Sequence, residues 1–367
     1  MGIPEKIKAI QDEMAKTKIN KSTEKHVGLL KAKIAKLKRE QESIATKKSG
    51  MKQDGFDVRR SGDATVVFIG LPSVGKSTLL NKMTSANSTI GAFTFTTLTV
   101  VPGMMVYRGA NIQVLDLPGI IKGASTGKGL GKRILSVART ADLVLLMLDV
   151  FQPFHEDVLV NELGNIGIRL NQLPPNITIE KASMGGIAVA EQVKLTKISV
   201  DHLKAILHLY GIVSARVVVK EDVTSEQLAD HIAGNISYSK ALTILNKIDL
   251  VDEEFLKDLK TKIKSEVIEV SANSDINIEL LKEKIYEKLK FIRIYMRPKG
   301  EETDFKEPFI AREGDSVEDI CNKLHRRLKR EFRYALIWGK SVKFGGQRVG
   351  LSHILQDEDV LTIIKRR

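Results

Sequence analysis

Eight residues, Gly70-Leu71-Pro72-Ser73-Val74-Gly75-Lys76-Ser77, constrain the fold of this 367-residue chain more than any other feature. They match G-x-x-x-x-G-K-[ST], follow the apolar run TVVFIG (65–70) and lead into the helical pattern STLLNKMT (77–84). A strand that turns through glycines into a helix brings backbone N–H groups and the positive end of the helix dipole to one point, which suits phosphate. Gly70, Pro72, Ser73, Val74 and Gly75 form the expected cradle, with Thr78 counted among the phosphate contacts. Lys76 is placed for β- and γ-phosphate oxygens, and the Ser77 hydroxyl for Mg²⁺.

Such a loop belongs at the C-terminal edge of a parallel sheet. The chain supplies the other strands: IQVLDL (112–117), LVLLMLD (143–149), ALTILN (241–246) and VIEVS (267–271) are short and nearly continuous in apolar residues. Buried parallel strands look like this, and the expected class is a doubly wound, mainly parallel α/β sheet. Three of the runs end in further motifs. Asp116-Leu-Pro-Gly119 offers a carboxylate for the Mg²⁺ shell and the Gly119 N–H for a γ-phosphate. Asn246-Lys247-Ile248-Asp249 matches N-K-x-D. Asp249 can accept from guanine N1–H and the N2 amine; adenine has neither donor, so the carboxylate would stay unpaired. Lys247 would lay its stem over the base, and Asn246 would brace the phosphate loop. Ser271-Ala272-Asn273 is positioned for a backbone contact to guanine O6. Four motifs in this order, each at a strand end, predict a GTP/GDP site rather than an ATP site.

Around this centre the pattern changes three times. Residues 4–18 and 22–47 read as two amphipathic helices, with Ser22 a candidate N-cap, and form an expected hairpin in domain 1–50. The G domain is expected over 51–163 and 240–290. Residues 164–239 read as an inserted small α/β subdomain: NITIEK and GIAVAEQVK flank a hairpin signal at Ser183–Gly186, then helix, strand, helix. Residues 291–367 read as a ββαββ, ubiquitin-like β-grasp module. In it Ser316–Arg333 is one basic helix with Leu324, Leu328 and Phe332 as its buried stripe, and Ser341–Lys343 is a short strand.

The formal charge of +13 is concentrated at the ends. Residues 1–50 hold 13 Lys/Arg against 6 Asp/Glu, and 291–367 hold 17 against 12. That distribution favours anionic partners, with a merely solvated surface as the alternative. Arg326, Arg327, Lys329, Arg330 and Arg333 would supply the densest basic face. A single cysteine, Cys321, and seven scattered histidines predict no disulfide and no metal site built from side chains alone. The longest apolar stretch, near Leu143–Leu148, is too short for a membrane span. The N-terminus resembles no signal peptide, so a cytoplasmic, membrane-free monomer is expected.

With these motifs in place, the sequence resembles the Obg-type GTPases, and more closely the developmentally regulated GTP-binding proteins. GLPSVGKSTLLNK and FTTLTVVPG are similar to that family's P-loop and first switch. LDLPGII with GASTGKGLGKR resembles its second switch, GIRLNQLPPNI the start of its inserted subdomain, and RIYMRPKG and VGLSHILQDEDVLTIIK its C-terminal TGS domain. The resemblance implies that Thr97, with Thr96 the alternative, ligates Mg²⁺ and senses the γ-phosphate. The catalytic set is then Lys76, Thr97 and Gly119, and the metal set Ser77, Thr97 and Asp116. Ile120 occupies the position where Ras-like GTPases orient water with glutamine, which predicts slow intrinsic hydrolysis. Ser73 stands where some glutamine-less GTPases carry a potassium-binding asparagine, so K⁺ stays open as an additional cofactor. Lys122, Lys128, Lys132, Arg133 and Arg139 surround the second switch; one of them as a charge-stabilising finger is one reading, and a basic solvated switch helix that meets a partner is the simpler one. The resemblance also implies a translation role with ribosome or rRNA as partner, and an accessory family-type regulatory protein as a further partner. The competing reading is a GTP-regulated protein adaptor without RNA contact.

Overall fold

The computed structural model describes residues 2–17, 23–48, 61–84, 93–95, 98–117, 137–152, 154–234, 236–263, 265–298 and 300–366. The chain forms two compact units, Met1–Asp57 with Gly167–Tyr238, and Val58–Ile166 with Ser239–Arg367.

The second unit is built on a seven-stranded sheet. Its strands are β1 (Ala64–Gly70), β2 (Phe93–Phe95), β3 (Leu98–Tyr107), β4 (Ala110–Asp116), β5 (Leu143–Asp149), β11 (Ala241–Asn246) and β12 (Val267–Glu269), in the order β12-β11-β5-β1-β4-β3-β2. β1 pairs in parallel with β4 and β5, and β11 with β5 and β12. Every residue of β1 and β5 is buried. That accounts for their nearly continuous apolar sequence: a central strand covered on both faces has no polar side to show, and the buried Thr65 hydroxyl of β1 donates to Gln113 Oε1. β3 runs antiparallel to β4 from Val101↔Asp116 to Tyr107↔Ala110. Helices α3 (Lys76–Met83), α4 (His155–Asn165), α7 (Glu253–Lys262) and α8 (Ile278–Leu289) complete this layer.

The same unit carries the C-terminal module. β13 (Phe291–Met296), β14 (Phe309–Arg312), β15 (Phe332–Trp338), β16 (Gln347–Val349) and β17 (Asp359–Lys365) order as β14-β13-β17-β15-β16. Only β13 and β17 are parallel, which is β-grasp topology. The basic segment expected as one helix is two. α9 (Val317–Leu324), capped by Ser316 and Asp319, stops at His325, whose backbone is extended (φ −168°, ψ 130°). The His325 Nδ1 then accepts from the Arg327 N–H and starts α10 (Arg326–Glu331). The supposed apolar stripe therefore breaks: Leu324 is exposed, while Phe332 is buried as the first residue of β15. Ser341–Lys343 is turn, and the strand lies beyond Gly345-Gly346 at Gln347–Val349.

In the first unit, α1 (Ile3–Lys16) and α2 (Glu24–Lys48) form the N-terminal pair, and the Ser22 cap lies outside the described residues. The hairpin is not a free-standing domain. Leu29 and Ala32 share one core with Leu203, Ile206, Val217 and Leu228 of the inserted segment. Lys36 Nζ donates to the Leu209 carbonyl at 2.8 Å and Tyr210 Oη to the Ala32 carbonyl at 3.1 Å. A pair of amphipathic helices cannot bury its apolar stripe alone, and the insert supplies the second layer. The insert holds β6 (Ile168–Leu170), β7 (Ile177–Lys181), β8 (Ile187–Glu191), α5 (Val200–Leu209), β9 (Ala215–Val219), α6 (Ser225–Ala233) and β10 (Ser237–Ser239). β6 and β10 pair, drawing its two ends together. β7 and β8 do not form the expected hairpin. β9 lies between them, antiparallel to β7 and parallel to β8. The glycines of the supposed tight turn, Gly185 and Gly186 with φ of 106° and 71°, instead carry the chain past the end of β9. Among the described residues no helix is long and apolar enough to cross a membrane.

Gly28 marks the closest approach in the first unit. A Cβ there would sit 2.7 Å from His202 Cε1 and 2.9 Å from Ser225 Oγ. Gly28→Val should therefore cost about 1–3 kcal/mol through overpacking. Hydrogen exchange should speed up in α2, α5 and α6 while β1 and β5 keep their protection. Unchanged exchange in α5 and α6 would contradict the shared core.

Candidate nucleotide-binding site

The strand ends β1, β4, β5 and β11 converge on one edge of the seven-stranded sheet, and the predicted residues gather there. Gly70 ends β1 hard against β5: a Cβ at Gly70 would lie 2.6 Å from the Met147 carbonyl oxygen. Gly75 has φ 94°, and a Cβ there would collide with the Asn246 side-chain amide. Both positions need glycine, one for contact and one for backbone and contact together. Ser73 is also left-handed, at φ 64°. Pro72 and Ser73 on the loop and Ser77 and Thr78 in the first turn of α3 are exposed, while Val74 and Lys76 are buried.

Lys76 Nζ donates to the Gly70 and Leu71 carbonyls at 3.1 and 2.8 Å. Burial pushes its ammonium below the usual lysine range, and the Asp116 carboxylate pulls partly the other way. A buried cation with neutral acceptors is complemented by an anion, which suits a phosphate. Ser77 Oγ donates to Asp116 Oδ2 at 2.5 Å. The other carboxylate oxygen, Asp116 Oδ1, is buried with no hydrogen-bond partner among the described residues. A hydroxyl and an under-satisfied carboxylate side by side form a hard oxygen donor set, which fits Mg²⁺.

Asn246 is 2% exposed and joins the two halves of the site. Its Nδ2 donates to the Val74 carbonyl at 2.8 Å, and its Oδ1 accepts from the Ala272 N–H at 3.1 Å. Lys247 follows with φ 68°, and its Nζ meets Asp149 Oδ2 at 3.2 Å. Asp249 is exposed and accepts from Ser274 Oγ at 3.3 Å. A hydrogen bond from the Ser271 hydroxyl, with help from Ser274, holds its carboxyl below the usual carboxylate range. It is thus fully ionised at neutral pH, as an acceptor for two N–H donors must be. Ser73, Gly75, Thr78, Asn246, Lys247 and Asp249, with the 271–273 turn, line a cleft of about 150 Å³.

Thr97, Gly119 and Ile120 lie outside the described residues, as do Thr96, Lys122, Lys128, Lys132 and Arg133; Arg139 is exposed. Two contributors escaped the sequence reading. Asp149 anchors Lys247, and it was legible as the polar end of LVLLMLD, directly beside Asn246 in register. Ser274 had no signal of its own; only the turn 271–276 brings it to Asp249.

The chain is similar to known proteins along its whole length. Residues 65–181 match the family model described as 50S ribosome-binding GTPase, 184–291 the C-terminal region of that domain, and 292–365 the TGS domain. An uncharacterised GTP-binding protein of Methanocaldococcus jannaschii is 53% identical, covering 100% of this chain and 94% of that one. The developmentally-regulated GTP-binding protein 2 homolog of Dictyostelium discoideum is 47% identical over 100% of both chains. Developmentally-regulated GTP-binding protein 2 of Homo sapiens is 46% identical, again over 100% of both.

Replacing Asn246 by Ala would strand the Val74 carbonyl and the Ala272 N–H together. The expected loss is about 2–4 kcal/mol of stability, since each stranded buried group costs about 1–3. Guanine nucleotide affinity should fall with it, as read by thermal melts with and without GDP. A variant with the wild-type melting temperature would remove Asn246 as the brace.

Proposed function

This chain belongs to the developmentally regulated GTP-binding proteins of the Obg-type GTPases, and from that premise we propose that it is a Mg²⁺-dependent switch that hydrolyses GTP to GDP and phosphate on ribosomes. The carrying observation is the Asn246 bridge, which ties the phosphate loop to the strand ends that would read guanine. Asp249 selects the base, with Lys247 held over it by Asp149. The P-loop amides from Ser73 to Thr78 and the Lys76 ammonium bind the β- and γ-phosphates. Ser77, Asp116 and Thr97 would hold Mg²⁺, which when bound neutralises charge developing on the phosphate oxygens. The Gly119 N–H completes the γ-phosphate contacts.

Water orientation is the missing part. Ile120 has no hydrogen-bonding group, so the basal rate rests on Lys76 and backbone amides, and a docked partner would order the switches. Ser73 offers a hydroxyl where a potassium-binding carboxamide would sit; rates in KCl against NaCl test whether K⁺ contributes. The ribosome reading is supported by the basic ends, by the exposed Arg327, Lys329, Arg330 and Arg333, and by the match to a ribosome-binding GTPase model.

Two measurements test these assignments. Ser77→Ala should weaken GTP binding in Mg²⁺ by about 10–100-fold and leave binding in EDTA nearly unchanged. Equal losses in both conditions would assign Ser77 a purely structural part. In sedimentation, the protein should travel with ribosomes more with a non-hydrolysable GTP analogue than with GDP. It should leave them as salt rises from roughly 50 to 200 mM. Indifference to nucleotide and to salt would overturn the switch and the ribosome contact respectively.

A further inference from the structure

The β-grasp sheet has two faces, and only one is covered by its helix. Ala335 and Ile337 of β15 point inward and share a core with Val317, Ile320 and Cys321 of α9. By the two-residue period of a strand, Tyr334, Leu336 and Trp338 point the other way. All three are only half-buried. Arg348 on the neighbouring β16 lies over the Tyr334 ring at 3.9 Å, and Arg297 lies over the Trp338 ring at 4.9 Å. Tyr295 of β13, in register with Val360 of β17, meets Phe305 at a tilt with ring centroids 5.0 Å apart, and Phe305 is 64% exposed.

The arginines decide what this face suits. Arg293 is taken by Asp357 and Glu358. Arg297, Arg348 and nearby Arg333 have no carboxylate at ion-pair distance among the described residues. Two of these guanidinium groups sit over rings, so each places a positive charge uncompensated by a carboxylate beside an aromatic side chain. An apolar protein partner would gain nothing from those charges. A duplex would present phosphates but keep its base faces closed. A single-stranded nucleic acid has both phosphates and open bases, and sheets that display aromatics and arginines bind it by stacking.

We propose that the outer face of the C-terminal sheet, centred on the Tyr334–Arg348 and Trp338–Arg297 stacks, is a platform for unpaired RNA bases. It is a different surface from the basic α10 segment. It rests on the ribosome reading above by naming the RNA element met there: a single-stranded loop or end, not a helix backbone.

Trp338 is the only tryptophan in the chain, so it reports on its own face. The full-length protein is titrated with a single-stranded RNA 12-mer and with a duplex of the same length, following tryptophan fluorescence. The single strand should quench Trp338 and bind more tightly than the duplex. Tyr334→Ala and Arg348→Ala should each weaken the single strand by about tenfold or more, the scale of one lost base stack. Tyr334→Phe, which keeps the ring, should bind nearly as wild type and controls for folding. Equal or tighter duplex binding, an unquenched Trp338, or wild-type affinity in Tyr334→Ala would each overturn the platform; an unquenched Trp338 would leave a protein as the occupant of the face. Ribosome sedimentation separates the two readings. If the wild-type protein sediments with ribosomes but single-stranded RNA fails to quench Trp338, only the platform falls; if it does neither, both fall.

Discussion

One buried carboxamide holds the site together. Asn246 donates to the carbonyl of Val74 in the phosphate loop and accepts from the N–H of Ala272 beyond β12. These groups come from segments far apart in the chain, and neither has water to fall back on. Because Asn carries both a donor and an acceptor on one rigid plane, it fixes the distance between the phosphate and base halves. Gly75 belongs to the same constraint, since any side chain there would occupy the space of the Asn246 amide. Much of the geometry that follows is the sheet delivering those strand ends to one side chain.

The central sheet and its site were readable because they obey local rules. Strands buried on both faces must be largely apolar, as β1 and β5 are, and the polar residues of the site stand where the strands stop. Asp116, Asp149 and Asn246 all stand at such stops. The phosphate loop was readable for the same reason: Gly70 and Gly75 are required by contacts that no other residue allows.

What escaped the sequence was non-local. The Ser183–Gly186 turn looks like a hairpin, yet β9, more than twenty-five residues further on, takes the position between β7 and β8. Turn residues report backbone freedom, not the identity of the pairing partner. The basic segment 316–333 reads as one helix because its spacing is helical across His325. The break is set by the packing of Phe332 into the β-grasp core, a tertiary demand that overrides helical propensity. The N-terminal helices showed their apolar stripe but not what covers it; Leu29 and Ala32 find their partners more than 170 residues away.

β3 runs from the nucleotide edge of the central sheet to the C-terminal module. It begins at Leu98, directly after the threonine pair, and ends at Tyr107. There Tyr107 meets Tyr286 edge-on at 5.8 Å, and Tyr286 meets Phe291 at 5.6 Å. Ten residues of strand reach about 33 Å. A strand paired along its length cannot creep: it keeps its register or slips by whole residues, turning every side chain over at each odd step. With Tyr107 held edge-on against Tyr286 at its far end, β3 behaves as a fixed rail laid from the nucleotide edge of the sheet to the C-terminal module.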